Sequence, residues 1–481
     1  MGTKNYKALI RTEGPLHIGD GQKLGNKDYF QAGNQIAVLD MTRFIDGLND
    51  EQLKAYIDFL NTDSRDGLEK FLKQNNLHKH ALDTAAYRVQ SNLARARRGS
   101  IQYFPVFSFI KDAHGMPYVP GSSLKGALRN ALLTSIILDS PKDYYQLYRS
   151  RCAEKTRRKN SRAAGPIEKK AFWIEAPIPK DTSVVNDILK YVSVSDSRPL
   201  QTKNLVFVKK YDKFSKGDPA DHKMKMGNIS KEERFKAGNE LNIYRECLSA
   251  GTEIEFDLSI DDRILKYINL DREGLLKILK LTYDFQNDYF LSNFDMKVNS
   301  SSSKVGSANT ARIACGYIYE TGPLKGMPCR NQAFGDTGFC NTHRDKIRAE
   351  ASNGSSSDDA SKVTLFLGGG VGYVSKTVTA AIIENDVERL EEISRILFEQ
   401  FPTWLDQTKH AALKKRIVES GFSPNIRKAQ YRQNGRLKKA KEDHRHWRDV
   451  ELGVSPHTIK YGIVGGKEQL MGKCSLSISE V

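Results

Sequence analysis

Three short strand-like stretches in this 481-residue chain each run directly into a loop rich in glycine. The loops are Gly14–Gly21, Pro120–Gly126 and Gly368–Gly372. Glycine and proline at this density end a strand, and glycine lets the backbone turn sharply or come close to another group. The chain is therefore constrained to short strands joined by glycine loops, and these loops are the first candidates for a binding site.

Further strands and helices are predicted from the spacing of apolar residues. Strands are predicted at Tyr6–Thr12, Gln35–Leu39, Tyr191–Ser195, Leu205–Val208, Glu253–Ser259, Val363–Leu367 and Cys474–Ile478. Helices are predicted at Met41–Leu48, Glu51–Leu60, Gly67–Gln74, Glu273–Phe285 and from Ser122 to Leu133, where Ser122 and Ser123 would cap the helix. The basic stretch from Arg151 to Lys170 has few apolar residues and is predicted to be a mobile loop.

The composition changes sharply in the C-terminal half of the chain. Asn299–Ser303 and Ala351–Ser357 are rich in serine, which is typical of flexible linkers. Three of the six cysteines of the chain lie between them. We interpret residues 299–361 as a small module that is inserted in a larger domain.

The chain carries 75 Lys and Arg residues against 58 Asp and Glu residues, a formal net charge of +17. This excess favours a polyanionic partner, with nucleic acid first and an anionic membrane second. The alternative is a basic surface without a special role. The sequence contains no apolar run of about 18 residues, so no membrane span is predicted. The N-terminus lacks the apolar core of a secretory signal. The expected compartment is the cytoplasm.

The segment Gly121–Gly126 combines glycines with a predicted helix N-terminus. Such a terminus exposes unpaired N–H groups and a partial positive charge, and Lys125 and Arg129 add full charges. These features predict a phosphate site, although the Walker spacing is absent. The alternative is a well-capped structural helix. Gly368–Gly372, followed by Lys376, is a second such loop, for which the alternative is a tight backbone crossing.

His17 lies within the first glycine loop. A histidine can act as a general base in RNA cleavage. However, no second histidine, paired carboxylate or metal-ligand pattern in the sequence clearly accompanies it. We therefore favour a structural role or an RNA contact for His17 over catalysis.

The inserted module contains a donor set for zinc. Cys315, Cys329, Cys340 and His343 offer three thiolates and one imidazole, which bind a structural Zn²⁺ ion tetrahedrally. The module has little core of its own, so the metal would supply much of its folding free energy. The alternative is that the cysteines are free and share no role.

Seven motifs, in this order, together resemble the RAMP superfamily of RNA-binding proteins. They are Gly14–Gly21, Pro120–Arg129, Ser195–Leu200, Ile243–Cys247, Leu367–Thr377, Leu452–Lys460 and Met471–Cys474. The last four are similar, more narrowly, to the subunit-five family of the type III-A (Csm) CRISPR effector complex. The resemblance spans nearly the whole chain except residues 299–361.

The resemblance implies an α+β fold of tandem ferredoxin-like (RRM-like) RAMP domains, interrupted by the inserted zinc module. The first domain would cover residues 1–265, with helical and basic-loop insertions, and the second would cover residues 266–481. The residues implied to line RNA or a neighbouring subunit are His17, Gly19, Ser122, Ser123, Lys125, Arg129, Gly369, Gly370, Lys376 and Thr377.

The resemblance also implies a non-catalytic role in prokaryotic antiviral defence. The subunit would cap a filament at the 3′ end of the CRISPR RNA and support maturation of that RNA and assembly of the complex. Its partners would be the CRISPR RNA, the backbone RAMP subunits, the small subunit and host nucleases that trim the RNA, with no membrane partner.

Two alternatives remain open from the sequence. The chain could be a RAMP endoribonuclease that processes precursor CRISPR RNA, with His17 as the general base. A metal-independent ribonuclease needs only positioned acid and base groups. The zinc module could instead be the functional centre, with the remainder of the chain as its scaffold.

Overall fold

The computed structural model describes residues 2–33, 35–62, 67–91, 104–153, 159–173, 187–216, 244–294, 362–400, 430–433, 436–439 and 449–481. These residues form a mixed α+β structure, which confirms the predicted class. The described residues up to Phe294 and from Val363 onward belong to one compact unit. The predicted zinc module, residues 299–361, lies outside the described residues.

The predicted strands and helices are all present, and several extend further than predicted. The strands are β1 (Thr3–Thr12), β2 (Gly19–Leu24), β3 (Tyr29–Ala32), β4 (Gln35–Leu39), β5 (Ala85–Ser91), β6 (Val106–Phe109), β7 (Val192–Val194), β8 (Leu205–Phe214), β9 (Tyr244–Leu248), β10 (Glu253–Asp261), β11 (Val363–Phe366), β12 (Gln430–Gln433), β13 (Arg436–Lys439), β14 (Thr458–Val464), β15 (Lys467–Leu470) and β16 (Lys473–Glu480). The helices are α1 (Met41–Asp46), α2 (Asp50–Asn61), α3 (Leu68–Gln74), α4 (His78–Asp83), α5 (Gly121–Asp139), α6 (Pro141–Ala153), α7 (Lys159–Phe172), α8 (Arg272–Tyr289), α9 (Thr379–Ile382), α10 (Asp386–Gln400) and α11 (Asp449–Leu452). Short 3-10 segments lie at Ile188–Tyr191, Thr202–Asn204, Asp262–Lys266, Leu291–Asn293 and Val374–Lys376.

A five-stranded antiparallel sheet has the strand order β11-β16-β1-β10-β7. In β1 the side chains of Tyr6, Ala8 and Ile10 are buried and alternate with more exposed ones. This period of two is that of a strand with one face in the core. Leu124 of α5 and Leu279 of α8 belong to the same apolar cluster, so these two helices cover the buried face of the sheet.

The path of the chain through this sheet is β1-α5-β7-β10-α8-β16, and the corresponding strands lie in the order β16-β1-β10-β7. A βαββαβ path of this kind is consistent with a ferredoxin-like unit, to which β11 adds an edge strand. β1 and β10 precede the predicted domain boundary at residue 265, whereas β16 follows it. Strands from both sides of that boundary therefore share one sheet, and the second ferredoxin-like unit stays a prediction.

A second sheet has the order β2-β6-β9-β8-β5-β4-β3, and β14 pairs with both β8 and β15. Helices α1 to α4 enclose a separate apolar cluster next to β3 and β4, which includes Phe30, Phe44 and Tyr56. The second sheet meets the loop after β1 through pairing of Leu16 with Leu248 at the end of β9. This contact places β9 beside the first glycine loop.

The prediction of a mobile loop between Arg151 and Lys170 is wrong for the residues that the structure describes there. Helix α6 continues to Ala153, and α7 occupies most of the remainder. Ile167 and Phe172 of α7 are buried in the main apolar cluster. Tertiary burial of a few apolar side chains is thus enough to hold a helix whose composition is otherwise basic and polar.

The start of α5 also differs from the prediction, because neither Ser122 nor Ser123 caps the helix. The carboxylate of Asp196 accepts a hydrogen bond from the Gly121 N–H at 2.8 Å instead. A Cβ atom at Gly121 would lie 2.3 Å from the carbonyl oxygen of Ser195. The helix therefore approaches the end of β7 more closely than any residue with a side chain would allow.

The substitution Gly121→Ala should lower the free energy of unfolding by about 1–3 kcal/mol, because its methyl group would overlap backbone oxygens beyond β7. Gly126→Ala in the same helix is the matched control, since a Cβ there meets nothing within 4 Å. The control should stabilise the helix by up to about 1 kcal/mol. Denaturant unfolding of the two variants measures the difference, and equal midpoints would contradict the close approach at Gly121.

Candidate nucleic-acid interface

The loop after β1 and the loop after β11 contact each other directly. The Gly369 N–H donates a hydrogen bond to the carbonyl oxygen of His17 at 2.7 Å. Gly368 has φ +78°, and a Cβ atom there would lie 2.4 Å from the same oxygen. Only glycine tolerates both the conformation and the contact. Two glycine loops that are far apart in the sequence thus meet at His17.

His17 is buried beneath these loops, with 4% of its surface exposed. Its Nδ1 lies 2.7 Å from the carbonyl oxygen of Glu246, and its ring meets Phe109 edge-on. Burial lowers the pKa of His17 to about 4, so the imidazole is neutral at neutral pH and its Nδ1–H donates to the Glu246 carbonyl. A Cβ atom at Gly19 would lie 3.0 Å from His17 Nε2, which explains the small residue there. His17 ties the first loop to β9.

Arg245 on β9 lies against the second loop. It falls within the Ile243–Cys247 motif, although it is not among the residues predicted for the site. A Cβ atom at Gly369 or Gly370 would lie 3.1 or 3.4 Å from its Nη1. Among the described residues its buried Nε has no hydrogen-bond partner and its guanidinium forms no ion pair. Burial lowers the pKa of this guanidinium below its ordinary value. We call His17, Gly19, Arg245, Gly369 and Gly370 the glycine-loop site.

A second cation lies near the glycine-loop site. Burial lowers the pKa of Lys210 on β8 to about 8, and the positive charges of Lys460 and Arg245 contribute to this shift. Lys460 is itself paired with Asp212 at 2.6 Å. Like charges that are partly withdrawn from water disfavour one another, and an anion placed between them would relieve that repulsion. Asp212 raises the pKa of Lys210 and offsets part of this positive charge, so these four side chains carry two net positive charges. This region of the molecule therefore attracts an anion.

The predicted cations of α5 are engaged within the protein. Lys125 donates a hydrogen bond from Nζ to the carbonyl oxygen of Val192 at 2.7 Å. Arg129 forms ion pairs with Glu168 at 2.8 Å and with Asp187 at 2.5 Å. With Asp196 on the helix N-terminus, these interactions join α5 to its neighbours and leave it little unbalanced positive charge.

Other predicted residues line a cavity of about 370 Å³ between α5, α8 and β11, which we call the α5 cavity. Its walls include Ser122, Ser123, Arg129 and Lys376. Thr377 follows Lys376 in the chain, directly after the 3-10 segment Val374–Lys376. Eight of the ten predicted residues are therefore divided between the glycine-loop site and the α5 cavity, and Lys125 and Thr377 belong to neither.

The structure does not describe the predicted zinc ligands Cys315, Cys329, Cys340 and His343. Within the described ranges, no group of three or more His, Cys, Asp or Glu side chains could hold a metal ion. Cys247 and Cys474 are buried free thiols whose pKa values are raised by burial. No helix in the described part of the chain is long and apolar enough to span a membrane.

Comparison with known proteins indicates the family of the chain. A family model described as the RAMP superfamily matches residues 9–300. The CRISPR system Cms protein Csm5 of Mycobacterium tuberculosis (strain H37Rv) is 26% identical over 280 residues, which cover 54% of this chain and 67% of the relative. The protein of the same name from Streptococcus thermophilus is 27% identical over 314 residues, which cover 62% of this chain and 75% of the relative.

A chain in the cryo-EM structure of the Csm-crRNA-target RNA ternary complex of a type III-A CRISPR-Cas system has a similar fold. The TM-score is 0.51 at 15% sequence identity, over 98% of this chain and 100% of that chain. At this low sequence identity, the similarity indicates a shared fold alone.

Acid should destabilise the wild-type protein more than a His17→Asn variant. Histidine titrates near 6.5 in an unfolded chain, whereas His17 titrates near 4 in the folded protein, so protonation favours unfolding. The stability that depends on neutral His17 is complete above about pH 6.5 and is lost as the pH falls towards about 4. Over that window the wild type should lose about 2–3 kcal/mol more than the variant. Denaturant unfolding of both proteins across this pH range measures the difference. Equal decreases in the free energy of unfolding of the two proteins would argue against a buried neutral His17.

Proposed function

Because the chain belongs to the RAMP superfamily, we propose that it is an RNA-binding subunit of a type III-A CRISPR (Csm) effector complex. The relatives named Csm5 and the fold shared with a chain of a Csm-crRNA-target RNA complex support this proposal. The subunit would cap the filament of backbone subunits at the 3′ end of the CRISPR RNA and support maturation and assembly. Its partners would be that RNA, the backbone RAMP subunits, the small subunit and host trimming nucleases.

The structural support for this proposal comes from the glycine-loop site. Arg245 presents a partly buried cation without an ionic partner among the described residues, and it lies against backbone that glycine keeps open. A buried unpaired charge lowers stability unless something compensates it. The guanidinium fork matches a phosphate group, and Lys210 adds to the attraction. Together with the net charge of +17, this arrangement favours a polyanionic backbone.

The endoribonuclease alternative is less favoured by the position of His17. A general base must reach the proton that it removes, within hydrogen-bonding distance. His17 is 4% exposed and its Nδ1 is already bound to the Glu246 carbonyl oxygen. Its interactions fit a residue that shapes the loops. If the alternative were correct, His17→Asn would abolish RNA cleavage and leave RNA binding intact.

Replacing Arg245 should weaken the affinity for single-stranded RNA while the fold survives. We expect Arg245→Gln to reduce the binding free energy by about 1.5–3 kcal/mol, as for removal of a hydrogen-bonded charged group. The dependence of log K on log salt should become shallower by about 0.7 for each phosphate that the variant no longer neutralises. Binding titrations at several salt concentrations measure both quantities.

Arg263→Gln is the matched control for Arg245→Gln, since it removes the same charge from an exposed residue that is paired with Asp261. An equal decrease of RNA affinity in the two variants would show that only net charge matters. For the assembly role, the chain is expressed with its neighbouring genes and the co-purified RNA is sequenced. Short RNAs with one repeat-derived 5′ tag should appear, and their 3′ ends should become ragged or extended when this subunit is omitted.

We also propose that Cys315, Cys329, Cys340 and His343 hold a structural zinc ion in the inserted module. A donor set of three thiolates and one imidazole is a common structural zinc set. The full chain should therefore contain about one equivalent of zinc by elemental analysis, and Cys340→Ser should lose most of it. Cys474→Ser is the control, because that thiol is buried elsewhere in the fold. Equal zinc content in the two variants would refute the site.

A further inference from the structure

Gln286 of α8 is a buried polar side chain that no described residue satisfies. It is 8% exposed and lines the α5 cavity. Within the described part of the chain its side-chain amide has no hydrogen-bond partner, although an amide can donate two hydrogen bonds and accept two. The amide atoms are not among the fully buried side-chain atoms that lack a partner in the described part of the chain, so they reach the open space of the cavity. The amide is therefore available to a ligand in the cavity.

The wall of the cavity around Gln286 carries a second unsatisfied group and an aromatic surface. The hydroxyl of Ser375 is buried without a hydrogen-bond partner among the described residues. Tyr283 and Phe366 line the same cavity, with ring centroids 6.4 Å apart and planes tilted by 31°. The cavity thus combines a flat apolar wall with unpaired donors and acceptors.

Among the charged side chains that line the cavity, Lys376 is the one that could attract an anionic group. Arg129 and Glu168 both line it and neutralise each other as an ion pair. Lys376 is exposed at the lining and has no ion-pair partner among the described residues. The volume, about 370 Å³, lies within the range of about 300–1,000 Å³ that is typical of small-ligand sites.

We propose that the α5 cavity binds a single nucleobase of a bound RNA strand. The Gln286 amide would hydrogen-bond the edge of the base, Tyr283 and Phe366 would contact its face, and Lys376 would lie near its phosphate. An amide side chain suits this role because its donor and acceptor can pair with the donor and acceptor of one base edge. Unstacked bases that are taken up by aromatic side chains are a usual means of recognition in single-stranded RNA.

This inference rests on the proposed RNA-binding function and deepens it. A protein side chain from a neighbouring subunit is the other class of occupant. A nucleotide is favoured because the cavity joins an aromatic wall, an unpaired amide and an exposed cation in a strongly basic chain. An apolar side chain would leave the amide of Gln286 unsatisfied.

The test uses the full chain and its Gln286→Leu variant. AMP, CMP, GMP and UMP are titrated separately and followed by saturation-transfer NMR. At least one should bind the wild type saturably, and the variant should bind it at least about tenfold more weakly, as expected for a bidentate interaction with one base. Ribose 5-phosphate lacks the base and should not respond to the substitution. The unfolding midpoint should change little, because leucine is similar in size to glutamine and no hydrogen bond of the Gln286 amide to a described residue is lost.

Tyr283→Leu is a second variant on a side chain that is only half-buried. If Gln286→Leu lowers the unfolding midpoint, a folded Tyr283→Leu variant with reduced mononucleotide affinity still supports the site, and one with unchanged affinity overturns it. Absence of saturable mononucleotide binding to the wild type overturns it as well. So does a Gln286→Leu variant that weakens only the association with other subunits.

Different experimental results would refute the nucleobase site and the proposed RNA-binding function. If RNA binding depends on Arg245 while no mononucleotide binds, the nucleobase site is wrong and the RNA-binding role stands. If mononucleotides bind through Gln286 while the chain and its complex carry no RNA, the cavity is a nucleotide site and the proposed function is wrong.

Discussion

The antiparallel pairing of β1 with β16 joins the two ends of the chain, and the geometry of the glycine loops depends on it. Thr12 lies opposite Cys474, and just beyond this pair the N–H groups of Glu13 and Gly14 both donate to the Lys473 carbonyl oxygen. Gly472 has φ +67°, and a Cβ atom there would lie 2.1 Å from a backbone oxygen at the end of β11. A shift of one residue would turn the buried face of β16 to the other side of the sheet and separate these loops.

Two adjacent residues of β9 show how differently the fold treats buried charge. Glu246 is fully buried, and its carboxylate accepts hydrogen bonds from Lys111 at 2.6 Å and from the Phe109 N–H at 2.9 Å. Arg245 is partly buried and points to the opposite side of the strand, where its guanidinium lies 5.7 Å from the centre of the Phe107 ring and has no ion pair among the described residues. The fold thus pairs the Glu246 charge through one of its two oxygens, whereas it leaves the Arg245 charge with an aromatic contact and no ion pair within the described part of the chain. Sites that are stable without their ligand rarely do this, whereas binding sites often do.

Local patterns sufficed to find seven of the sixteen described strands, five of the eleven described helices and the glycine loops, since each of these depends on neighbouring residues. The engagement of Lys125 and Arg129 could not be predicted, because their partners come from segments that only the tertiary fold brings near. Arg245 lies on β9, which is not among the predicted strands, and its contact with Gly369 and Gly370 depends on the loop after β11, which only the tertiary fold brings near. Gln286 lies on an amphipathic helix, where a polar residue is expected to face water until β11 covers it. Zinc binding by residues 299–361 stays a prediction.

The chain segment after β11 borders both candidate sites. Gly370 lies against Arg245, and five residues later Ser375 lines the α5 cavity. Five residues span at most about 18 Å when fully extended, so the two sites lie within reach of a short stretch of single-stranded RNA. Val374 between them is buried, which anchors the segment and fixes this spacing. Phosphate contacts set the position of a strand, and base contacts select which nucleotide occupies it. If RNA fills both sites, the cations of the glycine-loop site hold the strand and the cavity sets its register.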